Sequence, residues 1–192
     1  MSEAEAAAAF GEEIAYYLEH HLEGRDPASL DDLRDRCAAV LGAALPQAGV
    51  EPAVMRRAML ASLRFTAYPD AAPALEELRA RGLRLVVASN WDCSLPTALA
   101  EAGLAGLVDG VVASADVGAA KPDRGLFTAA LARAEVPASR TAHVGDSLEG
   151  DVRGAIGAGL RAVLVARGPE APAGTPVGVP VVRELTELAH LL

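Results

Sequence analysis

Four short apolar runs decide what this chain can fold into: LRLVVAS at 83–89, LVDGVVAS at 107–114, TAHVGDS at 141–147 and RAVLVA at 161–166. They are rich in valine and continuous instead of alternating, the pattern of parallel strands covered on both faces. Segments 95–102, 122–134 and 148–158 lie between them and read as crossover helices. The sequence therefore predicts an α/β fold with a doubly wound parallel sheet. PVVREL at 180–185 predicts a last short strand before a C-terminal helix, and GPEAPAGTPVG at 168–178 predicts a loop.

Ahead of this region the period is helical. Phe10, Ile14, Tyr17, Leu18 and Leu22 recur at three- and four-residue steps up to Gly24, the mark of an amphipathic helix. Asp26 and Pro27 offer an N-cap and a proline at the first helical position, and Leu30, Leu33, Cys37, Val40 and Leu41 continue the period. A third helix is predicted after Pro52, with Met55, Met59 and Leu63 turned inward. A fourth, led by Pro69 or Asp70, ends at Gly82. Residues 1–66 are thus expected to be all-helical and residues 67–192 to form the α/β body. A chain of 192 residues suits one domain with a modest insert.

Charge narrows the partners. The net charge of -9 is spread evenly, -5 over residues 1–66 and -4 over 67–192. That balance repels phosphodiester backbones and anionic lipid, so neither nucleic acid nor membrane is expected as a partner. The two cysteines, Cys37 and Cys93, have neither metal-ligand spacing nor a disulfide framework, which fits a reducing cytoplasm. The opening MSEAEAAAAF is acidic where a secretory signal is basic, and no apolar run approaches the roughly 18 residues of a membrane span. A soluble, cytoplasmic protein is the expectation.

In an open parallel sheet, ligands bind beyond the carboxyl ends of the strands, and the polar residues collect there. Ser89 and Asn90 end the first run, Lys121 lies in the loop after the second, and Asp146 ends the third, with Asp151 further on. A hydroxyl, an ammonium and two carboxylates on one rim suit phosphoryl chemistry. Ser89 can donate to a phosphoryl oxygen, Lys121 can neutralise charge, and Asp146 can hold Mg²⁺, a hard cation that takes oxygen ligands. Lys121 is the one lysine beside sixteen arginines, so a compact point charge is wanted where a planar fork does not serve. His143, inside a strand run, reads as a core histidine. His20 and His21 read as surface or interhelix residues. Cys93 has no histidine nearby in sequence to activate it as a nucleophile, and the glycines of GAIGAG at 154–159 close a helix instead of following a first strand.

In order along the chain, VVASN at 86–90, ADVGAAKPD at 115–123 and HVGDSLEGDVRGAIGAGLRAVLV at 143–165 resemble motifs II, III and IV of the haloacid dehalogenase (HAD) superfamily. The likeness covers residues 67–190, and residues 1–66 look like the α-helical cap that subfamily I members insert after their first strand. It implies a HAD-like Rossmannoid core at 67–192 under a cap at 1–66. It also implies that Ser89, with Asn90, binds the phosphoryl group, that Lys121 stabilises the nucleophile and the phosphorylated intermediate, and that Asp146 and Asp151 hold or support Mg²⁺, with Lys121 and Asp151 in catalytic roles. The activity implied is Mg²⁺-dependent hydrolysis of a small-molecule phosphate. A haloacid dehalogenase proper needs no Mg²⁺, and a metal-type motif IV argues for phosphate.

One part of the family pattern is not matched. Members begin with an apolar strand ending in a DxDGT-like motif I whose first aspartate is the nucleophile and a metal ligand, whereas this sequence opens inside what would be the first cap helix. The expectation is a truncated form whose sheet lacks its central strand, between those of Ser89 and Asp146. Loss of a nucleophile costs a hydrolase on the order of a millionfold in rate, so the chain as given is expected to be inactive. Direct pairing of the two orphaned strands, a strand given by a partner chain, and a homodimer stay open. The alternative function is a non-catalytic HAD-fold protein serving in binding or assembly.

Overall fold

The computed structural model describes residues 2–45 and 49–192. Three helices come first: α1 (Glu3–His20), α2 (Pro27–Ala44) and α3 (Pro52–Ser62). Their starts follow from local chemistry. Ser2 and Glu5 form a reciprocal capping box, with Glu5 N–H donating to Ser2 Oγ at 3.2 Å and Ser2 N–H to Glu5 Oε2 at 2.7 Å. Asp26 Oδ1 accepts from the amides of Ala28 and Ser29, each at 3.0 Å. Glu51 caps α3 through the Val54 amide.

These helices share one apolar cluster built on Ala9, Leu33, Cys37, Leu41, Met55 and Met59. The face that α1 turns inward carries Ala9 and Glu13, while Ile14 and Leu18 of the apolar period stand 50% and 56% exposed. Ala9 is buried in the cluster, and Phe10, Tyr16 and Tyr17 pack against it from the same helix. Leu63 differs from expectation too: α3 ends at Ser62, and Leu63 is 38% exposed beyond it.

After α4 (Ala71–Ala80) the chain alternates as the apolar runs predict: β1 (Val86–Ser89), α5 (Leu95–Glu101), β2 (Gly110–Ala113), α6 (Ser114–Val117), α7 (Arg124–Ala134), β3 (Ala142–Gly145), α8 (Gly154–Gly157), β4 (Arg161–Val165) and β5 (Val181–Val182). Every strand pair is parallel. Along β4, Ala162 and Leu164 pack with Phe127, Val152 and Ala155 on one side. Val163 and Val165 pack with Leu78, Val182 and Leu188 on the other. Alternate residues of one strand thus feed two cores, which is what a sheet with helices on both faces requires.

Two elements depart from expectation. The third crossover is not one α-helix: it opens as a wide π-turn at Leu148–Arg153 before α8. The C-terminal helix is a 3-10 turn at Leu185–His190, packed on α4. The strands form two groups, β1–β2 and β3–β4–β5. Among the described residues β1 and β3 do not pair, so the closure by direct pairing that the sequence left open is not found.

The helices meet the α/β body at one corner. Tyr17 Oη donates to Asp92 Oδ2 at 2.8 Å, the Asp92 amide donates back to Tyr17 Oη at 3.3 Å, and the Cys93 amide donates to Gly24 O at 2.9 Å. Burial, reinforced by the Asp92 carboxylate, raises the Tyr17 pKa far above the usual phenol value. A Cβ at Gly24 would lie 3.0 Å from that of Asp92, so the close approach needs glycine. Among the described residues no helix is long and apolar enough to cross a membrane.

Phe127 is 1% exposed and fills the core between α7 and the π-turn. Replacing it with alanine is expected to cost about 3–5 kcal/mol in urea denaturation.

Candidate functional site

The site is built on the ends of β1 and β3. Ser89 closes β1, and the next residue, Asn90, holds the loop that carries Lys121. Asn90 Nδ2 donates to Lys121 O at 3.1 Å, and the Lys121 amide donates to Asn90 Oδ1 at 2.7 Å. An amide side chain has one donor and one acceptor group and so stands in for the backbone of a neighbouring strand.

The Lys121 ammonium donates to Ala88 O of β1 at 3.1 Å and to Asp151 Oδ1 at 2.7 Å. It thereby bridges the two strand groups. An ammonium has three N–H donors, and with two engaged one is left for a ligand. The side chains of Lys121 and Asp151 are 14% and 5% exposed.

Asp151 is held from every side. His143 Nε2 lies 2.7 Å from its Oδ1, and the Ser147 amide donates to its Oδ2 at 2.9 Å. Burial pushes its pKa up, but the hydrogen bond to His143, the charge and hydrogen bond of Lys121 and the Ser147 amide outweigh it, holding the carboxyl well below the usual carboxylate range. The carboxyl lies over Gly145, where a Cβ would overlap it. The π-turn follows from this packing: by widening, the chain swings Asp151 back onto the strand end. Such turns recur at functional sites.

The structure brings Ser89, Asn90, Lys121, Asp146 and Asp151 to one cleft of ≈ 430 Å³. A larger concavity of ≈ 620 Å³ lies away from them between α2 and α3. Within the cleft Lys121 is matched by Asp151, and Glu149 pairs with Arg153 at 3.0 Å. Asp146 is exposed and accepts no hydrogen bond or ion pair among the described residues. Among the described residues, no group of three His, Cys, Asp or Glu side chains is placed to hold a metal ion. The donor set still suits Mg²⁺, which is commonly held by one or two carboxylates and completes its shell with substrate phosphate and water. Asp146 is the carboxylate free to serve.

Sequence reasoning missed three participants. His143 is not simply a core residue: its ring meets Asp151 and packs edge-on against Phe127 at 5.1 Å. Residues 143 and 145 share a face of β3 by strand alternation, a signal that joined the histidine to the glycine beneath Asp151. Trp91 and Ser147 also line the cleft, and nothing in their local pattern marks them. Burial, with Asp92 next in weight, raises the Cys93 pKa, so its thiol is disfavoured as an anion.

Asp151→Asn leaves the Lys121 charge buried without its counter-ion, and a loss of about 3 kcal/mol is expected in urea denaturation near neutral pH. Because the folded-state pKa of Asp151 is depressed, its contribution is complete above the unfolded value of about 4 and fades as pH falls below it. The stabilities of parent and variant should therefore converge in acid.

Comparison with known proteins gives the family. A family model for haloacid dehalogenase-like hydrolases matches residues 2–159. The chain is 44% identical over 116 residues to a phosphoserine phosphatase of Thermus thermophilus, covering 59% of this chain and 47% of that protein. It is 40% identical over 118 residues to mouse haloacid dehalogenase-like hydrolase domain-containing protein 3, covering 62% and 47%. The chain thus spans about half the length of the curated relatives it matches. Among solved structures, the magnesium-bound HAD-hydrolase YfnB of Bacillus subtilis superposes with a TM-score of 0.72 at 20% identity, covering 100% of this chain and 84% of that one, a likeness of fold. With the motifs in place around Ser89, Lys121 and Asp146, the chain belongs to the haloacid dehalogenase-like hydrolases.

Proposed function

We propose that this cleft binds a small-molecule phosphate beside Mg²⁺ and that the protein is a phosphatase-type hydrolase. One observation carries the reading: an ammonium anchored between the Ala88 carbonyl and Asp151, with one N–H to spare, faces the same cleft as Ser89 and the unpaired Asp146. Ser89 Oγ donates to a phosphoryl oxygen, Lys121 offsets the phosphate charge, and Asn90 keeps the two at fixed separation. Asp146 ligates Mg²⁺, and Asp151 acts through Lys121 by positioning it. When bound, Mg²⁺ neutralises charge that develops on the phosphoryl oxygens. The attacking carboxylate of the family is not among these cleft residues, so their part is binding and charge stabilisation.

The same reading makes residues 1–66 the cap and 67–192 the core, and sets the protein in the cytoplasm, where its two free cysteines stay reduced. The alternative, a HAD-fold protein that serves only in assembly, has no use for an anchored ammonium beside an unpaired carboxylate.

Calorimetric titration separates the two. Inorganic phosphate is expected to bind in the presence of Mg²⁺ and much more weakly without it, and a scaffold binds neither ion. Lys121→Gln should weaken phosphate binding about 10- to 100-fold, the loss of a hydrogen bond to a charged group.

A further inference from the structure

Beside the charged floor of the cleft stands an aromatic side that the phosphate reading does not use. Trp91 lines the cleft immediately after Asn90. Its backbone is fixed at both groups: the amide donates to Ser114 Oγ at 2.9 Å, and the carbonyl accepts from Ser114 Oγ at 3.1 Å and from the Ala115 amide at 3.1 Å. Ser114 is fully buried, so this clamp is shielded from water. The indole Nε1 lies 3.3 Å from Ser94 Oγ. The ring is therefore oriented before any ligand arrives.

Phe65 meets it. This residue sits in the extended link between α3 and α4, and its ring stands edge-on to Trp91 at 4.7 Å between centroids and 66° between planes. Half of Phe65 is exposed. A pre-set indole with a half-exposed phenyl at its edge is apolar surface at the rim of a polar cleft, and it has no core to join. On the opposite side of the rim stand Asp146 and Glu149.

We propose that Trp91 and Phe65 form the specificity wall of the site, receiving the flat ring of an aromatic phosphate monoester whose phosphate sits at Ser89 and Lys121. This rests on the phosphate reading of the cleft and adds the chemical class of the organic part. Aromatic rings pack on one another edge-on or offset; Trp91 lines the cleft and Phe65 extends the aromatic surface from it. An aliphatic phosphate has the same anchor and no partner at the wall.

Trp91 is the one tryptophan of the chain, so its emission reports on the wall directly. The intact chain, with Mg²⁺, is titrated with inorganic phosphate, methyl phosphate and phenyl phosphate, by calorimetry and by tryptophan emission. Phenyl phosphate is expected to bind about three- to tenfold more tightly than methyl phosphate, the range of one aromatic contact, and to change the emission more. Phe65→Ala, on an exposed side chain outside the core, and Trp91→Leu, which keeps apolar bulk, should each bring that ratio towards one. Equal affinity for the two esters in the parent overturns the wall and leaves the phosphate site standing. A preference that survives both substitutions overturns the assignment to these rings. If neither inorganic phosphate nor methyl phosphate binds, the phosphate reading fails, and the wall with it.

Discussion

The ammonium of Lys121 joins the two halves of the sheet layer. Its side chain leaves the loop after β2, touches a carbonyl of β1 and ends on a carboxylate that follows β3. A buried ion pair is a doubtful source of stability, since desolvation of both charges offsets their attraction unless every remaining valence is filled. Here most are filled: Asp151 takes Lys121, His143 and the Ser147 amide, and Lys121 takes Ala88 and Asp151. The arrangement is better understood as a charged post that fixes two strand ends than as a contribution to stability. An arginine is not its equivalent: a planar fork presents its donors in fixed directions, whereas the compact ammonium here meets one carbonyl and one carboxylate oxygen.

Much of the local structure around the post follows from it. A carboxylate packed against the end of β3 leaves no room for a side chain at 145. The chain after Ser147 must curl more widely than an α-helix to bring residue 151 back, hence the π-turn. Asp146, one residue beyond the strand end, is turned outward and left without a protein partner. The two carboxylates thus differ in their surroundings: Asp146 is exposed, and Asp151 is held inside beside the ammonium.

The sequence revealed those parts of the molecule whose cause is local. Strand runs were legible because a strand buried on both faces has few substitutes for valine and leucine, and helix starts because Asp26–Pro27 admits few other structures. Ser89, Asn90, Lys121, Asp146 and Asp151 could be gathered from the rule that ligands meet strand ends, and the structure sets them in one cleft. What escaped is tertiary in origin. The inward side of α1 carries Ala9 with Phe10, Tyr16 and Tyr17, while Ile14 and Leu18 of the same period stay exposed. The partner of His143 lies eight residues away across a turn whose width no periodicity encodes. Trp91 earns its place through Ser114, a residue on another strand's end.

The paired hydrogen bonds of Asn90 carry one more implication. They tie the residue after Ser89 to the backbone of Lys121, so the end of β1 and the loop that carries the ammonium form one hydrogen-bonded block. The helices of the first 66 residues are fastened to that block, among the described residues, by three polar contacts at the Tyr17–Asp92 corner. What polar bonding fixes of their seating is thus concentrated at that one corner.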